Sequence, residues 1–409
     1  MDVMDLRGCP VPEIGNTLLA AYDAARPGER VAVRVDAADT ALAMWLIEAG
    51  AHFETETQSD GVLVTATRAM SPALTAAPGV HHIIDDGKDT IWAAERGSRV
   101  ARIDGAAGAV ASVAHVADKG SHLALDPDGK WLYLADFAAG ELVVMDAHSL
   151  DVAGRFAAPG GPQLPLAAGG GIACVTGPGS GTLTIVRPVN GGFAHQIAEV
   201  GDTPHDTVGA SDGRHVFVAC SGAGDVAKVD LETGAIVGRI ETGAGSSHLA
   251  AHPDGQRYYC ANSFDGTVTC FSGDGDGLAT ALSGGWAHHL EVSHDGARLY
   301  VSNFLDDTVS VFDTDTMEKI TDLETEPYAH EIAISPDGST LVLPGFSSDH
   351  IRIYDTATNE LTARIKVGAG SPHTVFTDGG RTAWVACSVA DHLARIDMVS
   401  RQAVGTLSL

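Results

Sequence analysis

Seven histidines, His81, His122, His205, His248, His289, His330 and His373, recur at one phase of an internal repeat, each a few residues before an Asp-Gly pair. Imidazole is largely neutral near pH 7 and is the commonest side-chain ligand for zinc, copper, iron and nickel. Residues at one phase of an array that closes on itself point at one place, so the pattern predicts imidazoles meeting at an axis, a metal centre. An ion with bonds of about 2.0–2.1 Å usually takes four ligands. Seven histidines therefore predict either more than one ion or several that do not coordinate. Channel histidines that only hydrogen-bond water would leave the same sequence trace. The doublets His81-His82 and His288-His289 each add an imidazole, although neighbours in a regular strand face opposite sides.

The elements that must position these residues are short strands. Asp86-Gly87, Asp128-Gly129, Asp212-Gly213, Asp254-Gly255, Asp295-Gly296, Asp337-Gly338 and Asp378-Gly379 mark the repeat at intervals of about 42 residues, and the unit around Gly169-Gly170-Gly171 has lost the aspartate. That period suits a four-stranded propeller blade. Within one unit, Arg298–Asn303, Thr308–Asp313 and 318–323 alternate as strands, with Gly, Asn and Asp in the turns between them. Eight units fit, or seven if a terminal unit is incomplete. Ser335-Pro-Asp-Gly338 and Tyr300-Val-Ser-Asn303 resemble the Tyr-Val-Thr-Asn family of propeller repeats. That resemblance implies an all-β propeller over residues 80–409, with the first strand of each blade lining a central channel and the histidines sharing one rim.

The second strand of each unit ends at the same rim. Its last residues include Asn262 and Asn303, the ordinary choice for a turn, but also Glu95, Asp136, Cys220 and Cys387. A carboxylate beside a metal can accept a proton or orient a histidine, and a thiolate can coordinate or receive sulfur. These four are candidate catalytic residues. Lys119 is a weaker candidate for binding an anion, and Gln163 stands where the third unit lacks its histidine.

Residues 1–70 differ in kind. Helical spacing of Ile14, Leu18, Leu19 and Tyr22 predicts a helix over 12–25, a second is expected over 39–49, and strands are expected at 30–36, 52–57 and 62–68. A small two-layer α/β sandwich follows, joined by a linker at 71–79 to the propeller. Cys9, in Asp5-Leu-Arg-Gly-Cys-Pro-Val-Pro12, stands just before the first predicted helix, where unpaired amides and the helix dipole would favour a thiolate. This motif and the order of elements resemble the TusA/SirA sulfur carriers. The resemblance implies that Cys9 carries a persulfide, with a sulfurtransferase or another sulfur-relay protein as partner.

Composition narrows the function classes. With 25 Lys and Arg against 53 Asp and Glu, the formal net charge of −28 disfavours nucleic acid and anionic membrane surfaces as partners. The absence of a leader pattern and of any apolar run of about twenty residues points to a cytoplasmic protein. Six unclustered cysteines do not form a disulfide framework. A histidine-lined propeller is also similar to nitrous-oxide reductase and thiocyanate dehydrogenase, a resemblance that implies multinuclear copper, while zinc and iron suit the same ligands. The leading expectation is thus a copper-dependent oxidoreductase acting on a small sulfur compound at the channel, with Cys9 as sulfur carrier. Its alternative is a non-catalytic propeller scaffold in a sulfur relay, and metal-free hydrolase chemistry is a third reading.

Overall fold

Asp-Gly turns and alternating apolar residues set the local structure. In the computed structural model, which describes residues 3–7, 30–35, 52–58, 61–67, 79–95, 97–117, 120–346, 348–370 and 373–409, the turn glycines Gly129, Gly255 and Gly338 have φ of 73°, 69° and 74°. An L side chain is disfavoured there and glycine is not. The preceding aspartate closes each turn by accepting an amide two residues on, as Asp128 does from Lys130 at 3.0 Å and Asp254 from Gln256 at 2.8 Å.

The chain divides into two compact units, Met1–Ala77 and Pro78–Leu409. The second contains eight antiparallel four-stranded sheets, each built from consecutive strands. They span 80–115 (blade 1), 120–157 (blade 2), 165–199 (blade 3), 204–241 (blade 4), 246–282 (blade 5), 287–324 (blade 6), 333–366 (blade 7) and 374–407 (blade 8). First strands of blades 1 to 6 neighbour one another in turn, and that of blade 8 neighbours that of blade 1. Eight apolar clusters occupy the eight seams, one between each pair of adjacent blades. Eight seams for eight blades means the ring is closed.

Closure does not use strand exchange, because every sheet is sequence-local. It rests on apolar packing at the seam between blades 8 and 1, where Val80, Ile83, Ile91 and Ile103 meet Val375, Trp384 and Leu393. Trp384 is 1% exposed, its indole nitrogen donates to Thr377 Oγ1 at 3.2 Å, and the Arg395 guanidinium lies 5.5 Å from its ring centroid.

The first unit requires a correction. Its described strands, Val3–Asp5, Arg30–Val35, His52–Gln58 and Gly61–Thr67, form one sheet in the order first, second, fourth, third. The first two strands are parallel and the other pairs antiparallel. Among the described residues of the whole chain the only helical elements are two 3-10 turns, at Pro178–Ser180 and Asp378–Gly380. The described residues are thus essentially all-β, with nine four-stranded sheets, and the expected α/β sandwich and its TusA/SirA resemblance are overturned. A carrier thiolate depends on a helix terminus behind it, and among the described residues no such helix stands. Cys9, Lys119 and the segments 12–25 and 39–49 lie outside the described residues. No helix among the described residues is long and apolar enough to cross a membrane.

Because closure relies on one apolar seam, Trp384→Ala is expected to destabilise the protein by about 3–5 kcal/mol, the usual range for deleting a buried large aromatic. Denaturant unfolding of the full chain, followed at equilibrium, measures it.

Candidate metal centre

The first strand of most blades carries one residue too many. In blade 1, Val80 faces Glu95 and Ile83 faces Ala93, so His81 and His82 together oppose Ala94. In the same way Ser121 and His122 oppose Ala135, His205 and Asp206 oppose Ala219, Ser247 and His248 oppose Ala261, and His288 and His289 oppose Ser302. Blade 7 repeats this excess between Ala329, facing Gly345, and Ala333, facing Val342, which places His330 and Glu331 at the bulge. A β-bulge re-aims side chains. Here it turns both members of a doublet toward the channel: His81 and His82 each lie within 5.8 Å, centroid to centroid, of both His122 and His373. The rule that strand neighbours face opposite sides fails here for this reason.

The imidazoles form an arc. His205 meets His248 at 4.8 Å, His248 meets His288 at 4.4 Å, and His288 meets His330 at 5.1 Å. His330 then meets His373 at 5.6 Å, His373 meets His82 at 4.5 Å, and His82 meets His122 at 4.7 Å. Blade 3, with the buried Gln163, interrupts the arc. All seven predicted histidines lie in this neighbourhood, His81 against His122 and His289 against His248, but the unbroken chain runs through His82 and His288. Both were legible only as the extra member of a doublet.

Three of these rings converge most tightly. Ligand nitrogens of His82, His122 and His373, from the adjacent blades 1, 2 and 8, all lie within 4.8 Å of one another. Two metal–nitrogen bonds of about 2.1 Å span at most about 4.2 Å, so the rings need to close only slightly on an ion. His373 Nδ1 lies 3.1 Å from Glu331 Oε1, whose other oxygen accepts the Thr374 amide at 2.8 Å. Asp206 holds His248 in the same way, 3.4 Å from its Nδ1, while accepting the Leu249 amide at 3.0 Å. His205 Nδ1 donates to Ser247 O at 3.2 Å. A ring whose Nδ1 hydrogen is held by a carboxylate or carbonyl presents Nε2 as a lone pair, the usual support of a coordinating histidine. Nε2 of His205 and of His248, and both nitrogens of His288, are buried without a hydrogen-bond partner. His82 differs: its Nδ1 accepts the Leu123 amide at 3.2 Å, so binding an ion at Nε2 displaces the proton that the neutral ring carries there.

Sequence reading missed Asp206 and Glu331, although each directly follows a predicted histidine. It also missed Glu291. Two residues beyond the bulge the corresponding first-strand position is apolar in the other seven blades, from Ile84 in blade 1 to Val375 in blade 8, and glutamate only in blade 6. Burial holds His82, His122, His248 and His288 well below the usual histidine range, with the other imidazoles adding to it, and it also lowers His205 and His289. These rings are neutral and open to metal at pH 7. Burial pushes Glu331 and Glu291 up to about 8.

The predicted second set has partners of its own. Glu95 is buried against Arg99, with oxygens 2.7 and 2.5 Å from the guanidinium nitrogens. Asp136 accepts the Ala139 amide at 3.2 Å. Cys220 and Cys387 sit in the apolar seams between blades 3 and 4 and blades 7 and 8, and burial pushes the Cys220 thiol up to about 12. The ligand set does not specify copper, since three neutral imidazoles suit several first-row ions, and that expectation is withdrawn.

A family model described as lactonase, 7-bladed beta-propeller, matches residues 186–328 and 319–408, more than half of the chain. The chain belongs to this family. The eight sheets of the second unit exceed the seven blades of the family's description, and the matched residues include His205, His248, His289, His330 and His373 but not His82 or His122. The resemblance to nitrous-oxide reductase and thiocyanate dehydrogenase gives way to this membership. Comparison with the curated proteins finds no match. Among solved structures, the chain is similar to the dihydro-heme d1 dehydrogenase NirN in complex with DHE, at 19% identity and a TM-score of 0.61, covering 70% of this chain and 66% of that one. It thus spans just under two thirds of NirN. Kuenenia stuttgartiensis hydrazine synthase is similar at 16% identity and a TM-score of 0.55, over 79% of this chain and 97% of that one. A Bacteroides fragilis protein provisionally assigned as a 6-phosphogluconolactonase is similar at 20% identity and 0.56, over 71% and 94%. At these identities the likeness is one of fold.

A pH dependence follows from Glu291. The native state holds this proton up to about pH 8, whereas an unfolded glutamate releases it near 4.3. The stability cost is therefore absent below about pH 4, grows as pH rises, and is complete above 8. Glu291→Gln should match the wild type in melting temperature near pH 4 and exceed it by several degrees at pH 8. Thermal melts of the two metal-free proteins across that range, compared as a difference, separate Glu291 from the buried histidines. Their lowered values act in the opposite direction, removing stability as pH falls below 6.5.

Proposed function

We propose that residues 80–409 form a metal-dependent enzyme acting on a small molecule in the propeller channel, with His82, His122 and His373 holding a first-row transition ion. The convergence of three imidazoles from three adjacent blades supports this reading most directly. Three nitrogen ligands leave a fourth position for water or substrate, the usual arrangement of a catalytic rather than a structural site. The remaining imidazoles of the arc offer further ligands or hydrogen bonds to what enters. Glu331 would orient His373 and exchange a proton near neutral pH. A sulfur compound as substrate was implied only through residues 1–70, so the small molecule is named here by size alone. Cys174, Cys220, Cys260, Cys270 and Cys387 are all buried and outside any disulfide, which supports a reducing, cytoplasmic setting.

We read the reaction as an oxidoreduction. NirN is described as a dehydrogenase and the Kuenenia stuttgartiensis protein as a hydrazine synthase, both on similar folds, and the site combines neutral imidazoles with carboxyl groups that hold protons near pH 7. Hydrolysis of a cyclic ester is the second reading, favoured by the family match. Two of the three candidate ligands lie outside the matched residues, which weighs against carrying the family's reaction to this site.

Elemental analysis should find at least one transition ion per chain. His82→Ala combined with His373→Ala should remove at least one equivalent, and unchanged stoichiometry would overturn the assignment. Reconstituting the metal-free protein then separates the two reactions. Zinc has no redox chemistry, so turnover with iron but not zinc supports oxidoreduction, and turnover of lactones with zinc supports hydrolysis.

A further inference from the structure

The turn between the first and second strands is built alike in blades 5, 6 and 7, and differently in blade 2. In the three similar blades the residue two positions before the turn aspartate sets an imidazole or a hydroxyl against its carboxylate. His252 Nδ1 lies 2.9 Å from Asp254 Oδ2, Ser293 Oγ donates to Asp295 Oδ1 at 2.6 Å, and Ser335 Oγ donates to Asp337 Oδ1 at 2.6 Å. Blade 2 has Asp126 at this place, so two carboxylates, Asp126 and Asp128, face each other where the other blades set a donor against an acceptor.

Asp126 is completely buried. Its Oδ1 accepts the Gly171 amide of blade 3 at 3.3 Å, while its Oδ2 is enclosed without a hydrogen-bond donor. Asp126 and Asp128 line a cavity of about 320 Å³ together with Asp85 and Asp86 of blade 1. Backbone amides of Gly87, Lys88, Thr90 and Lys130 take one oxygen each of Asp85, Asp86 and Asp128 and fix the three carboxylates in place. Lys88 also lines the cavity, but among the described residues it forms no ion pair with any of the four. An acceptor-only group buried against a second carboxylate is costly unless a cation or a proton lies between them.

We infer that this pocket between blades 1 and 2 is a binding site for a hard divalent cation of the calcium type, held by the Asp126 and Asp128 carboxylates in a pocket whose acidic lining Asp85 and Asp86 extend. Oxygen-only, anionic ligands at bonds of about 2.3–2.6 Å suit calcium and exclude the softer ions that imidazoles take. Water completes the coordination. The site is separate from the histidine arc and does not depend on the reaction assigned to it.

Calcium added to chelator-treated wild-type protein at pH 7.5 should raise its melting temperature by several degrees and give a saturable isotherm in calorimetry. Asp126→Ser restores the donor of blades 6 and 7. It should melt higher than metal-free wild type and bind calcium at least tenfold more weakly, and the isosteric Asp126→Asn should lose binding in the same way. The combined His82→Ala and His373→Ala variant should keep the full calcium response, which separates this site from the metal centre. A wild-type protein that ignores calcium while Asp126→Ser is still more stable would show that the two carboxylates share only a proton, and would overturn the site.

Discussion

Two residues opposing one at the start of the innermost strands is the constraint on which the channel depends. In an unbroken ladder the residues before and after each histidine would point into the seam between blades, and an eight-fold ring would present one inward position per blade. The extra residue presents two. It brings His81 and His82 to the same neighbours, gives blades 4 and 7 a histidine and a carboxylate side by side, and lets a side chain of one blade reach the amide after the bulge of the next. His82 to Leu123, Asp206 to Leu249 and Glu331 to Thr374 are three instances of one contact. Hydroxyl groups lock the bulge from behind, as Thr176 donates to the carbonyl of His205 and Ser302 to that of His330.

Burial then decides protonation. A ring of imidazoles so close together cannot all be charged, and a site with little water favours the neutral forms of histidine and carboxyl groups alike. The lowered histidines and the raised Glu331 and Glu291 are two results of one cause. The acidic surface of the protein has no part in this. Glu95 and Asp136, which share the rim in sequence, are engaged by Arg99 and by a turn amide instead.

Family match and site overlap only in blade 8. The matched residues run from the third blade to the last, whereas the tightest imidazole cluster straddles the closure of the ring, with His373 in blade 8 and His82 and His122 in blades 1 and 2. Packing around Val80, Ile83, Val375 and Trp384 thus both closes the propeller and sets the spacing of the candidate ligands. The link between stability and function is local to one seam.

Much of this was written in the sequence. The Asp-Gly period marks sheets of four sequence-local strands, because that dipeptide closes a turn cheaply wherever it falls, and the recurrence of histidine at one phase required the imidazoles to meet once the array closed. Strands at 30–35, 52–58 and 61–67 were legible from alternation. The identity of the partners was not. Whether His81 or His82 faces His122, which carboxylate orients which ring, and that Asp126 lacks a donor all depend on a one-residue slip in register and on contacts between blades about 40 residues apart. The cysteine motif at Cys9 shows the converse limit: a pattern of local residues suggested a fold for residues 1–70 that the described strands do not support. Sequence fixes periodicity because turns and alternation are local properties of the chain, whereas register and the meeting of distant side chains are decided only when the ring closes.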